Sequence, residues 1–219
     1  MLKFTFLLLA YVALVAKADP IASLTAEYET EIKSGKTKAK DAWKFVRNGA
    51  YVMHERPERT LRWTRMSDHE IGLEQFFPKE KVVLEFAHSE MKARSEEISW
   101  SSIAHVVDTN LLSRLAPKGS KKLMGRVGTL YTGKIEAADW QVIWFADLSL
   151  AAKVTRRDKK GSMTTEIKKL LVGEGSDPDF REYRRVDFAD LGDLESDPTM
   201  QNLIRTVGDT HRHSGHAHH

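Results

Sequence analysis

Apolar and polar residues alternate regularly in the part of the chain that follows its first hydrophobic segment. In Ser23–Ile32, Leu24, Ala26, Tyr28, Thr30 and Ile32 fall on one face, and three glutamates fall on the other. Alternation with a period of two and one polar face predicts a half-exposed β-strand.

Similar runs follow and predict an antiparallel meander. Asp41–Arg47 and Ala50–Glu55 are separated by Asn48-Gly49, the strongest short hairpin signal, because both residues tolerate positive φ. Further strand-like runs lie at Thr60–Met66, Glu70–Phe77 and Lys81–His88. The polar turns between them are short, as expected for antiparallel neighbours.

The period then becomes helical. In Ser99–Leu115 the apolar residues recur at spacings of three and four, which predicts an amphipathic helical segment. Asp108 is suited to cap a second short helix within this segment.

Strand-like patterns return after this helical segment. Lys122–Tyr131 contains Gly125 and Gly128, which predicts one strand that is bulged or bent at its glycines, and Gly133 marks a turn. The later strands are Asp139–Phe145, Leu150–Arg156, Ser162–Val172 and Arg184–Asp190, and Asp197-Pro198 opens a helix over Thr199–Val207. With about ten strands, the chain is expected to be a single α+β domain built on one antiparallel sheet.

The first 18 residues have the pattern of a secretory signal peptide. Lys3 precedes an uncharged apolar run, and Ala16-Lys17-Ala18 forms a small-x-small cleavage site. The run is shorter than the roughly 20 residues that a membrane span needs, although an uncleaved anchor is the alternative. We therefore expect a signal peptide at 1–18, a domain at 19–207 and a flexible tail at 208–219.

The composition limits the cellular compartments in which the protein is expected and the kinds of reactive site that it can contain. The 219 residues include no cysteine, which excludes disulfides, thiolate metal sites and a cysteine nucleophile. An exported protein without disulfides favours a Gram-negative periplasm. The formal charge is +3 and falls to +1 without Lys3 and Lys17, so we expect a soluble protein that binds no nucleic acid.

Histidines are concentrated at the end of the chain. Nine are present, and five lie in the last nine residues: His211, His213, His216, His218 and His219. Clustered imidazoles bind copper, nickel or zinc, so metal binding by a native tail is one interpretation and an expression tag is the other. The remaining histidines, which we expect to be ordinary surface or strand residues, are His54, His69, His88 and His105.

No linear motif of a known catalytic class is present, so we expect no enzyme, although scattered Asp, Glu and Arg residues would leave no such trace. The acidic run Asp187–Asp197 lacks the spacing of a calcium loop. Four tryptophans lie on predicted strands and Trp100 opens the helical segment. They fill an ordinary core or line a concave cavity for an apolar ligand.

Several segments resemble the early and late strands of LolA-like periplasmic proteins, the outer-membrane lipoprotein-sorting family. These are Ala42–Arg47 (AWKFVR), Leu61–Arg65 (LRWTR), Asp139–Phe145 (DWQVIWF) and Leu150–Arg157 (LAAKVTRR). The resemblance implies a strongly curved, unclosed β half-barrel whose helical insertion covers the concave face. It also implies a non-catalytic protein that holds acyl chains.

We therefore expect a periplasmic binding or carrier protein for a lipid, an acyl chain, a lipoprotein or another apolar ligand. The residues expected to contact the ligand in the sheet–helix cavity are Trp63, Phe86 and Trp144. Two alternatives remain open: a metal-handling protein that uses the histidine tail, and a module that binds an envelope protein through a sheet edge or apolar patch.

Overall fold

The computed structural model describes residues 23–67, 70–93, 99–173, 178–194, 196–198, 200–201 and 203–204. The expected signal peptide, His69 and the five tail histidines lie outside these residues. The helix expected over 199–207 lies only partly within them.

The described residues contain twelve strands, all in one sheet. They are β1 (Leu24–Ser34), β2 (Thr37–Arg47), β3 (Tyr51–Glu55), β4 (Thr60–Arg65), β5 (Ile71–Phe77), β6 (Val82–Phe86), β7 (Ala116–Leu123), β8 (Arg126–Ile135), β9 (Ala138–Phe145), β10 (Leu150–Asp158), β11 (Gly161–Val172) and β12 (Arg184–Asp187).

Two antiparallel meanders make up most of this sheet. β1–β6 pair in chain order, β7–β11 do the same, and β1 joins the two halves by pairing with β11. The outermost strands, β12 and β7, do not pair with each other. The sheet is therefore curved and unclosed, as the resemblance implied.

The expectation of a purely antiparallel sheet is wrong at one edge. β12 runs parallel to β6, with Val186 opposite Leu84. The backbone N–H of Arg184 donates to the carbonyl of Lys81 at 2.9 Å as β12 begins. Alternation of apolar residues identifies a strand but does not fix its direction, because both pairings bury the same face.

The expectation of one bent strand over 122–131 is also wrong. The chain reverses at Met124-Gly125, where both residues have positive φ (52° and 79°), and forms the β7–β8 hairpin. Two consecutive positive φ values are the geometry of a type I′ hairpin turn. Gly133 is not a turn residue but lies within β8, beneath Leu115.

Three short helices connect the two meanders: α1 (His88–Ala93), α2 (Trp100–His105) and α3 (Thr109–Ser113). Asp108 caps α3 as expected, since its side chain accepts a hydrogen bond from the backbone N–H of Asn110 at 2.7 Å. Val106 ends α2 in the left-handed conformation, with φ at 66°.

Most of the core occupies one face of the sheet and is covered by these helices. On β1 and β2 this core face carries Tyr28, Trp43 and Phe45. Four apolar residues of β2, β3, β5 and β6 are buried on the opposite face: Val46, Met53, Phe76 and Val83. In the first cluster, Ile103 and Ala104 of α2 are buried with residues of β1–β6. In the second cluster, the residues around α3 pack on β8–β10; they are Val107, Leu112, Leu115, Ile135, Val142, Ala151 and Val154.

Candidate functional site

A cavity of about 880 Å³ lies between α3 and the turns that join β8 to β9 and β10 to β11. Its apolar lining includes Leu111, Ile135 and Trp140. Ile135 is the last residue of β8, Trp140 is the third residue of β9, and Leu111 belongs to α3. The space is therefore a pocket between sheet and helix, of a size that suits a small ligand.

The local sequence explains why the indole has room on this surface. In the strand register Trp140 lies opposite Gly133 of β8 on one side and opposite Arg156 of β10 on the other. Glycine adds no side chain beside the indole, and Leu115 packs over Gly133 instead: a Cβ there would lie 2.9 Å from Leu115 Cδ2. The same glycine thus seats the chain that follows α3 close to the sheet.

Basic side chains surround this apolar lining. They are Arg114, Arg156, Lys159 and Lys160, against the two acidic residues Glu136 and Asp158. Asp158 forms an ion pair with Arg156 at 2.8 Å, and its Oδ1 accepts hydrogen bonds from the backbone N–H groups of Lys160 and Gly161. Asp158 is thus already engaged by the turn that it shapes.

A buried arginine ties the helices to the sheet. Arg47 is 1% exposed at the end of β2, between the buried Leu24 and Val52 of the neighbouring strands. Its Nη1 donates to the carbonyl of Ala104 in α2 at 2.6 Å, and its Nη2 donates to the carbonyl of Leu148 at 2.6 Å. Burial lowers the pKa of Arg47 to about 10, so the side chain stays charged at neutral pH.

Three side chains form hydrogen bonds with backbone carbonyls of the segment 146–151. Arg47 Nη1 also donates to the carbonyl of Ser149 at 3.1 Å, and His105 Nδ1 lies 2.7 Å from the same oxygen. The hydroxyl of Tyr28 donates to the carbonyl of Ala151 at 2.8 Å. Burial lowers the pKa of His105, which favours a neutral imidazole whose Nδ1 donates to Ser149. We name this set of contacts, centred on Arg47, the latch.

A row of rings lies on the core face beside the latch. Tyr28 stacks on Trp43 with ring centroids 4.8 Å apart, and His54 lies 4.6 Å from Trp43 and 4.7 Å from Trp63. Burial lowers the pKa of His54 to about 3. Buried polar atoms of His54 (Nε2), Trp63 (Nε1) and Gln75 (Oε1) have no hydrogen-bond partner among the described residues.

The structure does not bring the three expected ligand contacts together. Trp63 and Phe86 are 4% and 3% exposed in the first core cluster, where Phe86 stacks on Phe188 at 4.5 Å. Trp144 packs against the second cluster and lines a separate depression of about 430 Å³ with Val127. Their role as ligand contacts stays a prediction, whereas Trp140 is the tryptophan that lines the cavity.

Two residues of this region were missed by the sequence analysis, although each left a signal. Arg47 continues the alternation of Trp43 and Phe45 and so falls on an apolar face, where an arginine needs buried acceptors. Trp140 shares a predicted strand with Trp144, and alternation alone cannot say which of the two faces a cavity.

The described residues were searched for groups of side chains that could bind a metal ion and for helices that could span a membrane. Among them, no group of three or more His, Asp or Glu side chains is placed to hold a metal ion. Nor does the described part contain a helix with the length and hydrophobicity of a membrane span.

Comparison with known proteins gives structural similarity without sequence similarity. No family model matches the chain, and no curated protein matches it. Among solved structures, a LolA superfamily protein from Nitrosomonas europaea is 8% identical, with a TM-score of 0.35 over 72% of this chain and 89% of that one. This structural similarity is weak.

Two further solved structures are also weakly similar to this chain. A putative outer membrane lipoprotein-sorting protein domain from Vibrio parahaemolyticus is 12% identical, with a TM-score of 0.35 over 75% of this chain and 91% of that one. PNGF-II is 13% identical, with a TM-score of 0.44 over 80% of this chain. This chain spans only 33% of PNGF-II. At these scores no residue's role carries over.

Proposed function

We propose that this chain is a non-catalytic binding or carrier protein that holds the apolar part of a lipid or lipoprotein between its sheet and its helices. The observation that supports this proposal is the cavity of about 880 Å³ beneath α3, lined by Leu111, Ile135 and Trp140. Apolar walls with a few polar groups at the rim are typical of small-molecule sites. In this proposal the protein acts in the periplasm after export.

Tertiary contacts hold the helices that cover the sheet. The helices α2 and α3 have six and five residues, too few to be stable without tertiary contacts. The position of α2 therefore depends on packing and on the hydrogen bond from Arg47 to Ala104. The neighbouring α3, which lines the cavity through Leu111, is joined to α2 by the contact between the hydroxyl groups of Ser101 and Thr109 at 2.7 Å.

A carrier role fits the chemistry of the lining better than catalysis. The lining residues include no Ser, Thr, Cys or His, so no hydroxyl or thiol nucleophile and no imidazole base from these residues faces the space. The acid Asp158 is engaged by Arg156 and by two backbone N–H groups. Aliphatic side chains and an indole instead provide surface for dispersion and hydrophobic contact.

Binding of a fluorescent polyene fatty acid, measured by titration, tests this function. We expect saturable binding to the wild-type chain and a loss of about tenfold in affinity for Trp140→Ala, because the indole supplies part of the apolar lining. Trp144→Ala is the matched control, since that indole lines a different depression. Equal losses in both variants, or no binding to the wild-type chain, would refute the assignment of the cavity.

A further inference from the structure

We propose that the cavity beneath α3 selects an amphipathic anion, in which an apolar chain ends in a phosphate or carboxylate group. This inference rests on the proposed function and adds the charge of the ligand to it. The apolar chain would lie against Leu111, Ile135 and Trp140, and the anionic group would meet the basic rim.

Among the described residues that line the cavity, the rim has an excess of positive charge. It holds four basic residues against two acidic ones. The ion pair between Arg156 and Asp158 balances one charge of each sign. Among the described residues, the side chains of Arg114, Lys159 and Lys160 form no ion pair, and Glu136 forms none either.

The basic groups come from separate elements and converge on one opening. Arg114 follows α3, and its position is fixed because its backbone N–H donates to the carbonyls of Leu111 and Leu112. Arg156 stands on β10, held by Asp158 at 2.8 Å. Lys159 and Lys160 occupy the β10–β11 turn, whose shape is set by the hydrogen bonds to Asp158 Oδ1.

The arrangement separates apolar from charged surface in the way that an amphiphile requires. Ile135 and Ala138 at the base of the space are 8% and 5% exposed, whereas the Arg156 side chain is 48% exposed. A charged head group would therefore stay at the hydrated opening and avoid the cost of burial. A guanidinium also offers paired donors that match phosphate or carboxylate oxygens.

Four probes separate the contributions of charge and chain. Hexadecyl phosphate, palmitate, hexadecanol and inorganic phosphate are titrated below their aggregation concentrations against the full chain. We expect the two anionic amphiphiles to bind about tenfold more tightly than hexadecanol, with a difference that shrinks as salt is added. Inorganic phosphate should not compete measurably, because it lacks the apolar chain.

Paired charge variants locate the effect. Lys159→Gln with Lys160→Gln should weaken binding of hexadecyl phosphate about tenfold and leave hexadecanol unchanged. The control pair, Lys118→Gln with Lys121→Gln, removes the same charge from exposed positions on the edge strand β7 and should change neither. Thermal unfolding of each variant confirms that these exposed substitutions keep the fold.

The outcomes distinguish this inference from the proposed function. Equal affinity for hexadecanol and hexadecyl phosphate would overturn the anion preference and leave the carrier function standing. If inorganic phosphate bound as tightly as hexadecyl phosphate, the proposal that the ligand needs an apolar chain would be wrong. If none of the three amphiphiles bound, both the carrier function and the anion preference would be wrong. If the two lysine pairs caused equal losses, the effect would be one of general charge, and the assignment of the anionic group to Lys159 and Lys160 would be wrong.

Discussion

Arg47 and Ala104 connect the sheet to the helices that cover it. The Nη1 group of Arg47 donates to the carbonyl of Ala104 at 2.6 Å, across 57 residues of sequence, and both residues are buried. The same guanidinium also reaches the carbonyls of Leu148 and Ser149. A single strand residue thus binds two segments that lie 44 residues apart in the chain, α2 and the segment 146–151, to the same point of the sheet.

Replacing Arg47 with Met should lower the free energy of unfolding by about 2–4 kcal/mol, because buried carbonyls lose charge-assisted hydrogen bonds and gain no solvent. Urea denaturation measures the change. Arg47→Lys is the matched control: it keeps the charge, but its single nitrogen cannot occupy the positions of both Nη1 and Nη2, so part of the hydrogen bonding is lost and the destabilisation should be smaller. If the Met variant were as stable as the wild-type chain, the latch would have no structural role.

Hydrogen exchange provides a local test of the same contacts. In Arg47→Lys, amides of α2 and of the segment 146–151 should exchange faster, because these are the elements that the guanidinium holds. Amides of β4 and β5, which lie in the interior of the sheet, serve as the internal control. A uniform change over all of these amides would mean global destabilisation and would contradict a local latch.

His54 should make the stability of the protein depend on pH in the acid range. Burial lowers its pKa from 6.5 to about 3 in the folded state. Between these values the unfolded chain binds more protons than the folded chain, so stability falls as the pH falls. Near pH 5 the contribution of His54 is a loss of about 2 kcal/mol relative to pH 8.

The comparison of His54→Phe with the wild-type chain isolates the contribution of His54 to the pH dependence of stability. The variant keeps a ring between Trp43 and Trp63 and removes the titrating group. Urea midpoints measured from pH 8 to pH 5 should fall less steeply in the variant. Parallel pH profiles in the two proteins would show that His54 is not neutral and buried in the way described.

Much of the sheet could be predicted from the sequence because its information is local. The alternation in Ser23–Ile32 and the Asn48-Gly49 signal both led to observed strands, β1 and the β2–β3 hairpin. The turn itself differs from the expectation, because neither Asn48 nor Gly49 has a positive φ. Its shape comes instead from Asn48 Oδ1, which accepts hydrogen bonds from the backbone N–H groups of Ala50 and Tyr51.

The errors arose where one local pattern fits two tertiary arrangements. Gly133 looks like a turn residue, yet its lack of a side chain serves the packing of Leu115. Trp140 and Trp144 lie four positions apart on β9, and only the positions of α3 and of the later turns decide which one meets the cavity. These are contacts between residues far apart in sequence, and no periodicity encodes them.

Gly133→Ala should destabilise the protein by about 1–3 kcal/mol, because the added Cβ would lie 2.9 Å from Leu115 Cδ2 in a packed region. Gly49→Ala is the control, since a Cβ at Gly49 meets nothing within 4 Å. Combining Gly133→Ala with Leu115→Ala should cost less than the sum of the two single changes. Strict additivity, measured by urea denaturation, would contradict direct contact.

Metal binding by the histidine tail is tested by truncation. Calorimetric titration with Cu²⁺, Ni²⁺ and Zn²⁺ compares the full chain with a chain that ends at Asp209, which removes His211, His213, His216, His218 and His219. We expect metal binding to the full chain that is lost on truncation, because clustered imidazoles raise the local ligand concentration. Binding should weaken below about pH 6, where protons compete for the ring nitrogens. Equal affinities of the two chains would assign any observed binding to other residues, and the tail would then have no part in handling metal.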